Sequence, residues 1–580
     1  MHESPDTSLA YFAAQEVRRG FDEFHRRFRA ISRRAERRFS RADWSGARRD
    51  ALERLDLYGR SLGRLVRRLE RRLGAHARDP ALWTAIHDRF ASLLAGRHDA
   101  ELAETFFNST TRRLFAHDGV MPGIEFLDYR KPPLPPESGR APIFRRYVRV
   151  AGSDTLIGEI LADLPFARLW ADLPGDARLA GALLDRRLAE LGLTDAPLTA
   201  EVLVSLFYRN KGAYVIGRLR APGRVIPLLL ALVHTEHGVE VDAVLTRTDE
   251  TSIVFSFTRS YFHVDIEHHR EVIAFLRSIM PDKPVAELYT ALGYHKHGKT
   301  LLWRDLQRHL ARSDERFVFA RGTRGLVMEV FTLPGYDVVF KVVRDRFPWP
   351  KRTTRQRVHA AYELVHRHDR VGRLVDAQQF EHLSFARDRF DEALLDALLA
   401  TSGRTVRLDG DRVIIAHVYT ERRVTPLDVF IREAAPDAAR EAIIDYGFAV
   451  RDLAAADIFP GDLLLKNFGV TRHLRAVFYD YDEIQPLGAV NFREFPEART
   501  PEDELSDEPW FPVAENDVFP EEFGRFLGMP RELREEFVRW HGELLTARWW
   551  QEMQQRTRAG ELVDVIPYRE DSRLHPRRGR

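Results

Sequence analysis

The sequence predicts an α+β protein in two parts: a mainly helical α+β region over residues 1–312, then a bilobal domain over 313–580 made of a small β-lobe, a connector and a helical lobe with one β-hairpin. Three observations predict this. Apolar residues recur at three- and four-residue spacing from Leu9 to Phe115. β-rich runs separated by turn signals replace that period twice, near Gly212 and again after Ser313. A glycine-bearing loop, a lysine and a set of Asp and Asn side chains then follow one another in the order that phosphate chemistry needs. The length, 580 residues with 44% hydrophobic content, is more than one core serves.

Phe21, Phe24 and Phe28, then Leu52, Leu55, Leu62, Leu65 and Leu69, lay apolar stripes along helices that few breakers interrupt. Arg33, Arg34, Arg37 and Arg38, with Arg67, Arg68, Arg71 and Arg72, make basic faces. Interleaved Glu and Asp mark these as solvated helix surfaces rather than a nucleic-acid groove. Lys131-Pro-Pro-Leu-Pro-Pro136 cannot be helical and marks a linker. From Gly212 to Phe257, runs rich in Val, Ile, Leu and Phe are punctuated at Ala221-Pro-Gly223, His237-Gly238 and Thr248-Asp-Glu250, which predicts three or four antiparallel strands. Helices follow near 268–279 and 283–293. After Ser313, runs at 316–321 and 326–333 flank Gly322-Thr-Arg-Gly325, and a run at 338–343 follows Pro334-Gly-Tyr-Asp337, giving a three-strand meander. A helix at 353–368, strands at 405–408 and 412–419, helices near 426–434 and 438–455, and a hairpin of 468–471 with 476–479 complete the order.

Composition excludes several classes. With 89 basic against 87 acidic side chains the formal charge is +2, so no polyanion-binding field is implied. The absence of cysteine rules out disulfides, thiolate catalysis and Cys-ligated zinc, and fits a reducing interior. His263, His268 and His269 lack the paired spacing of a zinc site. The start, Met-His-Glu-Ser-Pro-Asp, has no signal-peptide pattern, and the longest apolar run, Val225 to Val233, is too short to span a bilayer. A cytoplasmic protein with no membrane or nucleic-acid partner is the expectation. Only eight of the basic residues are lysine, at 131, 211, 283, 296, 299, 341, 351 and 466, so a lysine in this chain is a marked choice.

Phosphoryl transfer from ATP needs a loop over the phosphates, a cation on them, a carboxylate on the acceptor hydroxyl and oxygen ligands for magnesium or manganese. Ala320-Arg321-Gly322-Thr323-Arg324-Gly325-Leu326 offers the loop, its glycines letting backbone N–H groups approach phosphate oxygens. Lys341, sixteen residues beyond Gly325, ends an apolar run as a phosphate-gripping lysine does. Asp462-Leu-Leu-Leu-Lys-Asn467 matches the Asp-Leu-x-x-x-Asn catalytic loop, and Asp480 lies thirteen residues past Asn467 at the end of an apolar strand. Asp462 is then the base, Lys466 a charge on the transferring phosphate, and Asn467 and Asp480 the metal ligands. Tyr419-Thr-Glu421-Arg-Arg423 ends a strand where a hinge contacts adenine through its backbone, and Glu363 is the acid available in the helix after Lys341. Together these are the protein-kinase layout. Two departures stand out. Ile458-Phe-Pro-Gly-Asp462 lacks the arginine that reads a phosphorylated activation loop. Asp480-Tyr-Asp482-Glu483 adds carboxylates beside the metal, and Asp482 becomes a candidate for orienting water.

The segments 319–327, Asp369-Arg-Val-Gly-Arg373, 458–469 and Val477-Phe-Tyr-Asp-Tyr-Asp-Glu483 resemble the isocitrate dehydrogenase kinase/phosphatase family. The likeness continues through Val490-Asn-Phe-Arg493, Pro501-Glu-Asp-Glu504 and 517–523, and in the first half through Leu292-Gly-Tyr-His-Lys-His-Gly-Lys299. The resemblance implies one active site that phosphorylates a serine of isocitrate dehydrogenase with ATP, inactivating it, and removes that phosphate with nucleotide (ADP) and magnesium bound. Such an enzyme sets the flux between the tricarboxylic acid cycle and the glyoxylate bypass. The resemblance also implies AMP control at a site between the domains, for which Lys296 and Lys299 are candidates, and makes Asp376 a catalytic residue that kinase logic does not supply. Oligomeric state stays open, a homodimer being one option. The stretch 502–523, with Trp510, Phe511, Phe519 and Phe523, is too hydrophobic for a solvated tail and reads as a docking loop. A kinase for a small metabolite and a catalytically dead nucleotide-binding adaptor are the rivals; the docking stretch opposes the first and the intact Lys341, Asp462, Asn467 and Asp480 set the second.

Overall fold

The computed structural model describes residues 5–130, 142–256, 260–349, 351, 353–368, 371–496, 511–561, 566–568 and 572–575. The Pro-rich linker at 131–136, Pro501-Glu-Asp-Glu504 and Trp510 lie outside them. The chain divides into two units, one of 1–256, 260–313 and 566–580, the other chiefly 314–565. Residues 566–580 thus belong to the first unit, whereas a division at 312/313 leaves them with the second. Among the described residues no helix is long and apolar enough to cross a membrane.

The first unit opens with α1 (Pro5–Ser40), α2 (Trp44–Leu73), α3 (Pro80–Leu93) and α4 (Ala100–Phe115). Asp43 caps α2 by accepting from the Gly46 N–H at 2.9 Å. The inward faces carry Phe21, Phe24, Phe28, Leu65, Leu69 and Phe106 into one core. The arginine faces are internally paired: Arg34 reaches Asp50 at 2.9 Å and Glu53 at 2.7 Å, Arg38 reaches Asp50 at 2.8 Å, and Arg68 reaches Glu16 at 2.9 Å.

A six-stranded antiparallel sheet follows, larger than the sequence suggests. β1 (Phe144–Val148), β2 (Thr199–Leu203), β4 (Gly212–Ala221), β5 (Arg224–Thr235) and β6 (Gly238–Leu245) lie in that order, with β3 (Phe207–Arg209) on β4. β1 and β2 escape the pattern because they are short and β1 reads Phe-Arg-Arg-Tyr-Val, a half-exposed edge with no apolar alternation. Between them run α5 (Ser153–Ala162) and α6 (Leu173–Glu190). Thr248-Asp-Glu250 is no turn between strands: it opens α7 (Thr248–Val254), whose first turn holds Asp249 and Glu250 where the helix dipole favours negative charge. α8 (His269–Ile279), α9 (Val285–Ala291) and α10 (His295–Arg312) close the unit, with Lys296 exposed and Lys299 half-buried on α10.

The chain returns to this unit at its far end. Arg573 bridges to Ala243, and its guanidinium meets Asp242 at 2.7 Å with side chains 1% and 4% exposed; Leu574 N–H donates to Asp242 O at 2.9 Å. Tyr568 Oη donates to the same carboxylate.

The second unit begins with a sheet in the order β10-β12-β9-β8-β7: β7 (Val318–Phe319), β8 (Met328–Thr332), β9 (Val338–Val343), β10 (Ala377–Ala386) and β12 (Arg412–Arg422), with β11 (Val406–Asp409) on β12. α11 (Arg355–His368) follows β9, and α12 (Glu392–Thr401) lies between β10 and β11. After β13 (Thr425–Pro426) come α13 (Leu427–Glu433) and α14 (Pro436–Ala455), then β14 (Ile458–Phe459), the hairpin β15 (Phe468–Val470) and β16 (Ala476–Phe478), and β17 (Gln485–Pro486). Arg373, buried, ties this lobe together: it meets Asp445 at 2.6 Å and Asp452 at 2.8 Å, both on α14, and donates to Ala476 O at 3.0 Å. The helices Arg531–His541 and Ala547–Arg558 pack behind α14, with Phe537 and Trp550 in the core.

Two outcomes follow. Arg573→Ala strands the buried Asp242 carboxylate and lowers the stability of the first unit by about 3–5 kcal/mol, read by chemical denaturation; adding Asp242→Asn recovers part of the loss. His541, wholly buried, has its pKa lowered to about 4 by desolvation and by Arg451. Its ring is neutral in both states above about pH 6.5, and between there and about pH 4 only the unfolded ring takes a proton. Stability is therefore full above pH 6.5 and falls with acid, by about 3 kcal/mol at most from this group. His541→Gln should flatten that limb of the denaturant-midpoint curve.

Candidate functional site

The β15–β16 hairpin assembles the polar cluster. Phe468 pairs with Phe478, so Asn467 enters and Tyr479 leaves side by side, and Tyr479 N–H donates to Asn467 O at 3.1 Å. Asn467 Nδ2 donates to Asp462, which also accepts from Leu464 N–H at 3.2 Å. Tyr446 of α14 pins this loop by donating to Leu463 O at 2.6 Å. Gly461 has φ +91°, and a Cβ there would lie 2.6 Å from Glu483 Cβ and 2.8 Å from Glu483 O. The residue before Asp462 is glycine because the Asp480–Glu483 segment runs directly across it. Antiparallel pairing of β14 with β17 fixes that crossing.

The small lobe delivers Lys341. β9 and β12 pair Lys341 with Tyr419, so Lys341 and Glu421 share a face of the sheet. Lys341 Nζ lies 2.7 Å from Glu421 Oε2 and donates to Tyr479 O at 2.6 Å. Tyr362 of α11 donates to Glu421 Oε1 at 3.2 Å and stacks on Tyr419 with ring centroids 3.7 Å apart. Burial raises the Glu421 pKa, and the Lys341 charge opposes that rise. The acid paired with Lys341 therefore comes from the neighbouring strand. Glu363, the helix candidate, is exposed on α11. Glu421, expected to act through its backbone at a hinge, instead commits its side chain to Lys341.

Asp480 follows Tyr479 and is held above the ordinary carboxylate range by desolvation and then by the Asp482 charge, against the pull of Lys341. Desolvation also raises Asp462, with the Glu483 charge adding and Lys351 and Lys466 opposing. Lys466 itself is exposed. Lys351 reaches Asp482 at 3.0 Å and Glu483 at 2.6 Å. Tyr481 is buried, donates to Val375 O at 2.5 Å, and meets the Tyr362 ring edge-on at 5.1 Å.

That last bond explains Asp376. Phe478 N–H donates to Arg373 O at 2.7 Å and Val375 N–H to Phe478 O at 3.1 Å, so Arg373–Val375 lies along β16 and Asp376 follows at the level of Asp480. Gln378 Nε2 donates to Asp376, whose charge is felt at Glu421. The loop 320–326 joins β7 to β8. Ala320 N–H donates to Val330 O at 3.0 Å, Arg321 pairs with Glu433, and Arg324 stacks on Phe319 at 3.7 Å. Gly322 has φ +111°, with Pro426 Cγ 3.3 Å from a Cβ placed there. Thr323, Gly325 and Leu326 are exposed.

Among the described residues no three His, Asp or Glu form a ready-made metal cage. The residues nevertheless fit magnesium. Asp480 follows Tyr479, whose N–H donates to Asn467 O, so a carboxylate and a side-chain amide come from adjoining backbone, and Mg²⁺ takes few protein ligands when phosphate oxygens complete its shell. Sequence reasoning missed the Glu421 side chain, the Tyr481 anchor and Lys351; lysine scarcity was the available signal for the last. The flanks of the docking stretch are joined by parallel β18 (Asn491–Phe492) and β19 (Asp517–Val518), by Arg493–Asp517 at 2.5 Å, and by the rings of Phe495, Phe511 and Phe519 with centroids 5.2–5.6 Å apart.

Residues 14–314 match the family model "Isocitrate dehydrogenase kinase/phosphatase (AceK), regulatory domain", and residues 315–570 match that family's kinase-domain model. An isocitrate dehydrogenase kinase/phosphatase of Anaeromyxobacter sp. (strain Fw109-5) is 48% identical over 574 residues, 99% of each chain. One of Anaeromyxobacter dehalogenans (strain 2CP-C) is 50% identical over 588 residues, covering 98% of this chain and 99% of the relative.

Glu421→Gln keeps the side-chain shape but leaves the Lys341 ammonium buried without its counter-charge, a loss of about 3–5 kcal/mol shared between stability and nucleotide affinity. Melting curves with and without ATP read the partition. A wild-type midpoint and a wild-type shift with ATP would show that the pair is dispensable.

Proposed function

Because the chain belongs to the isocitrate dehydrogenase kinase/phosphatase family, we propose that one site performs two opposed reactions, transfer of the ATP γ-phosphoryl group to a serine of isocitrate dehydrogenase and hydrolysis of the resulting phosphoserine. The convergence of Lys341, Asp462, Asn467 and Asp480, flanked by Asp376 and Asp482, carries this reading. In the forward direction Asp462 accepts the proton of the serine hydroxyl as its oxygen attacks phosphorus, Lys341 and the 320–326 loop hold the phosphates, and Lys466 faces the transferring group. Asn467 and Asp480 would hold magnesium or manganese, which would supply neutralising charge to the phosphate oxygens. In the reverse direction water is the nucleophile, and Asp376 and Asp482 are the carboxylates that orient it.

The kinase role is assigned to 314–565 and a regulatory role to 1–313, which residues 566–580 rejoin, with AMP as effector. The acidic and aromatic composition of 502–523 supports docking of a protein substrate. This favours a protein over a small metabolite as acceptor. A cytoplasmic enzyme that sets the flux between the tricarboxylic acid cycle and the glyoxylate bypass is the physiological reading.

Purified isocitrate dehydrogenase incubated with the protein and labelled ATP should take up label on serine and lose activity. Replacing ATP by ADP should release the label as inorganic phosphate. Asp462→Ala removes the base but no phosphate contact, so transfer should fall by about 10²–10⁴ while ATP binding persists. Full transfer by that variant would sink the assignment.

A further inference from the structure

Lys351 is a lysine of the active site to which kinase chemistry gives no task. It lies between β9 and α11, so the small lobe supplies it, yet its ammonium sits 3.0 Å from Asp482 Oδ2 and 2.6 Å from Glu483 Oε1 beyond β16 in the helical lobe. The Lys351 side chain is 21% exposed and that of Asp482 9%, so water screens this ion pair far less than a surface one. Burial alone would lower the Lys351 pKa, but the hydrogen bond to Glu483 and the charge of Asp482 hold it above its ordinary range. The other two lysines of the cluster are placed differently: Lys341 is bound to Glu421 and Tyr479 O, and Lys466 is exposed.

The surroundings give this contact a direction. Asp480 and Asp482 lie two residues apart, on either side of the anchored Tyr481, and the Asp482 charge acts on Asp480. Lys351 holds Asp482 together with Glu483 and offsets the charge that Asp482 sets against Asp480, the carboxylate that would be left to a metal ion. A carboxylate so held is suited to orienting water. In the hydrolytic reaction the water oxygen bonds to phosphorus as the bond from phosphorus to the serine oxygen breaks; the water proton passes to the Asp482 carboxylate, and protonated Asp462, the base of the forward reaction, returns its proton to the departing serine oxygen.

We propose that Lys351 is a positioning residue for dephosphorylation, orienting the Asp482 carboxylate with Glu483 as its brace. The proposal rests on the reading that this site works in both directions.

The test compares four full-length proteins with wild type: Lys351→Met, Lys351→Arg, Asp482→Asn, and Lys351→Met with Asp482→Asn. Label incorporation from ATP into isocitrate dehydrogenase and label release in ADP and magnesium are both measured. Lys351→Met should lower the ratio of release to incorporation by about 30-fold. Lys351→Arg, which keeps the cation, should restore most of it. In the Asp482→Asn background Lys351→Met should change the ratio by less than about threefold, the non-additivity of two residues acting as one unit. Equal losses in both directions, with wild-type release intact, would overturn the proposal alone and assign Lys351 to folding or nucleotide binding. Additive losses would likewise overturn it, by separating Lys351 from Asp482. A wild-type protein that incorporates label but never releases it would overturn the two-way reading and the proposal together. If Lys351→Met fails to fold, Lys351→Arg and Asp482→Asn keep the test decisive: Asp482→Asn must itself lower the ratio, and equal losses in that variant overturn the proposal.

Discussion

The buried guanidinium of Arg373 organises the second unit. A cation that deep survives only with its charge and all its donors answered. Here two carboxylates of α14 answer the charge, and a carbonyl of β16 takes a further donor. Satisfying this one group fixes three things at once: the helix behind the active site, the strand that ends at Asp480, and the backbone of 373–375 that leads to Asp376. The carboxylates proposed as catalytic thus inherit their spacing from a group outside the site. Losing it would loosen the hairpin and with it the relation between Asn467 and Asp480.

Around that frame the site is built to stand assembled. Protein kinases commonly form the lysine–glutamate pair by moving a helix inward. In this chain the glutamate lies one strand away, in fixed register, so forming the pair requires no helix movement. The tyrosine after Asp480 is tied by its hydroxyl to Val375 O and packed on Tyr362, so turning it outward would cost a buried hydrogen bond as well as apolar burial. The missing arginine before Asp462 agrees with this, since nothing in such a site waits for a phosphorylated loop. Regulation has to act on occupancy, docking or the balance of reactions rather than on assembly.

Much of this was legible in the sequence, for a physical reason. Asp462, Asn467 and Asp480 lie on one short loop and one hairpin, so their meeting is a local matter that spacing alone encodes. Glu421 and Lys351 were not readable as partners, because sheet register and a loop crossing between lobes set their contacts. Asp376 came only through family resemblance; its account in physical terms needed the pairing of 373–375 with β16. In the first unit the long helices announced themselves, while β1 and β2, five residues each and interrupted by charge, did not. The acidic start of α7 looked like a turn because the same residues serve both. Lysine 351 was visible as an oddity of composition before it had a role.

The return of residues 566–575 to the first unit makes the catalytic unit an insertion in the chain. The buried Asp242 carboxylate has to wait for its partner Arg573 until everything from 314 to 565 has been made. A single proteolytic cut inside the catalytic unit would leave each fragment still carrying part of the first. A chain truncated before 566 loses the Arg573 partner of Asp242 and so carries its defect in the first unit.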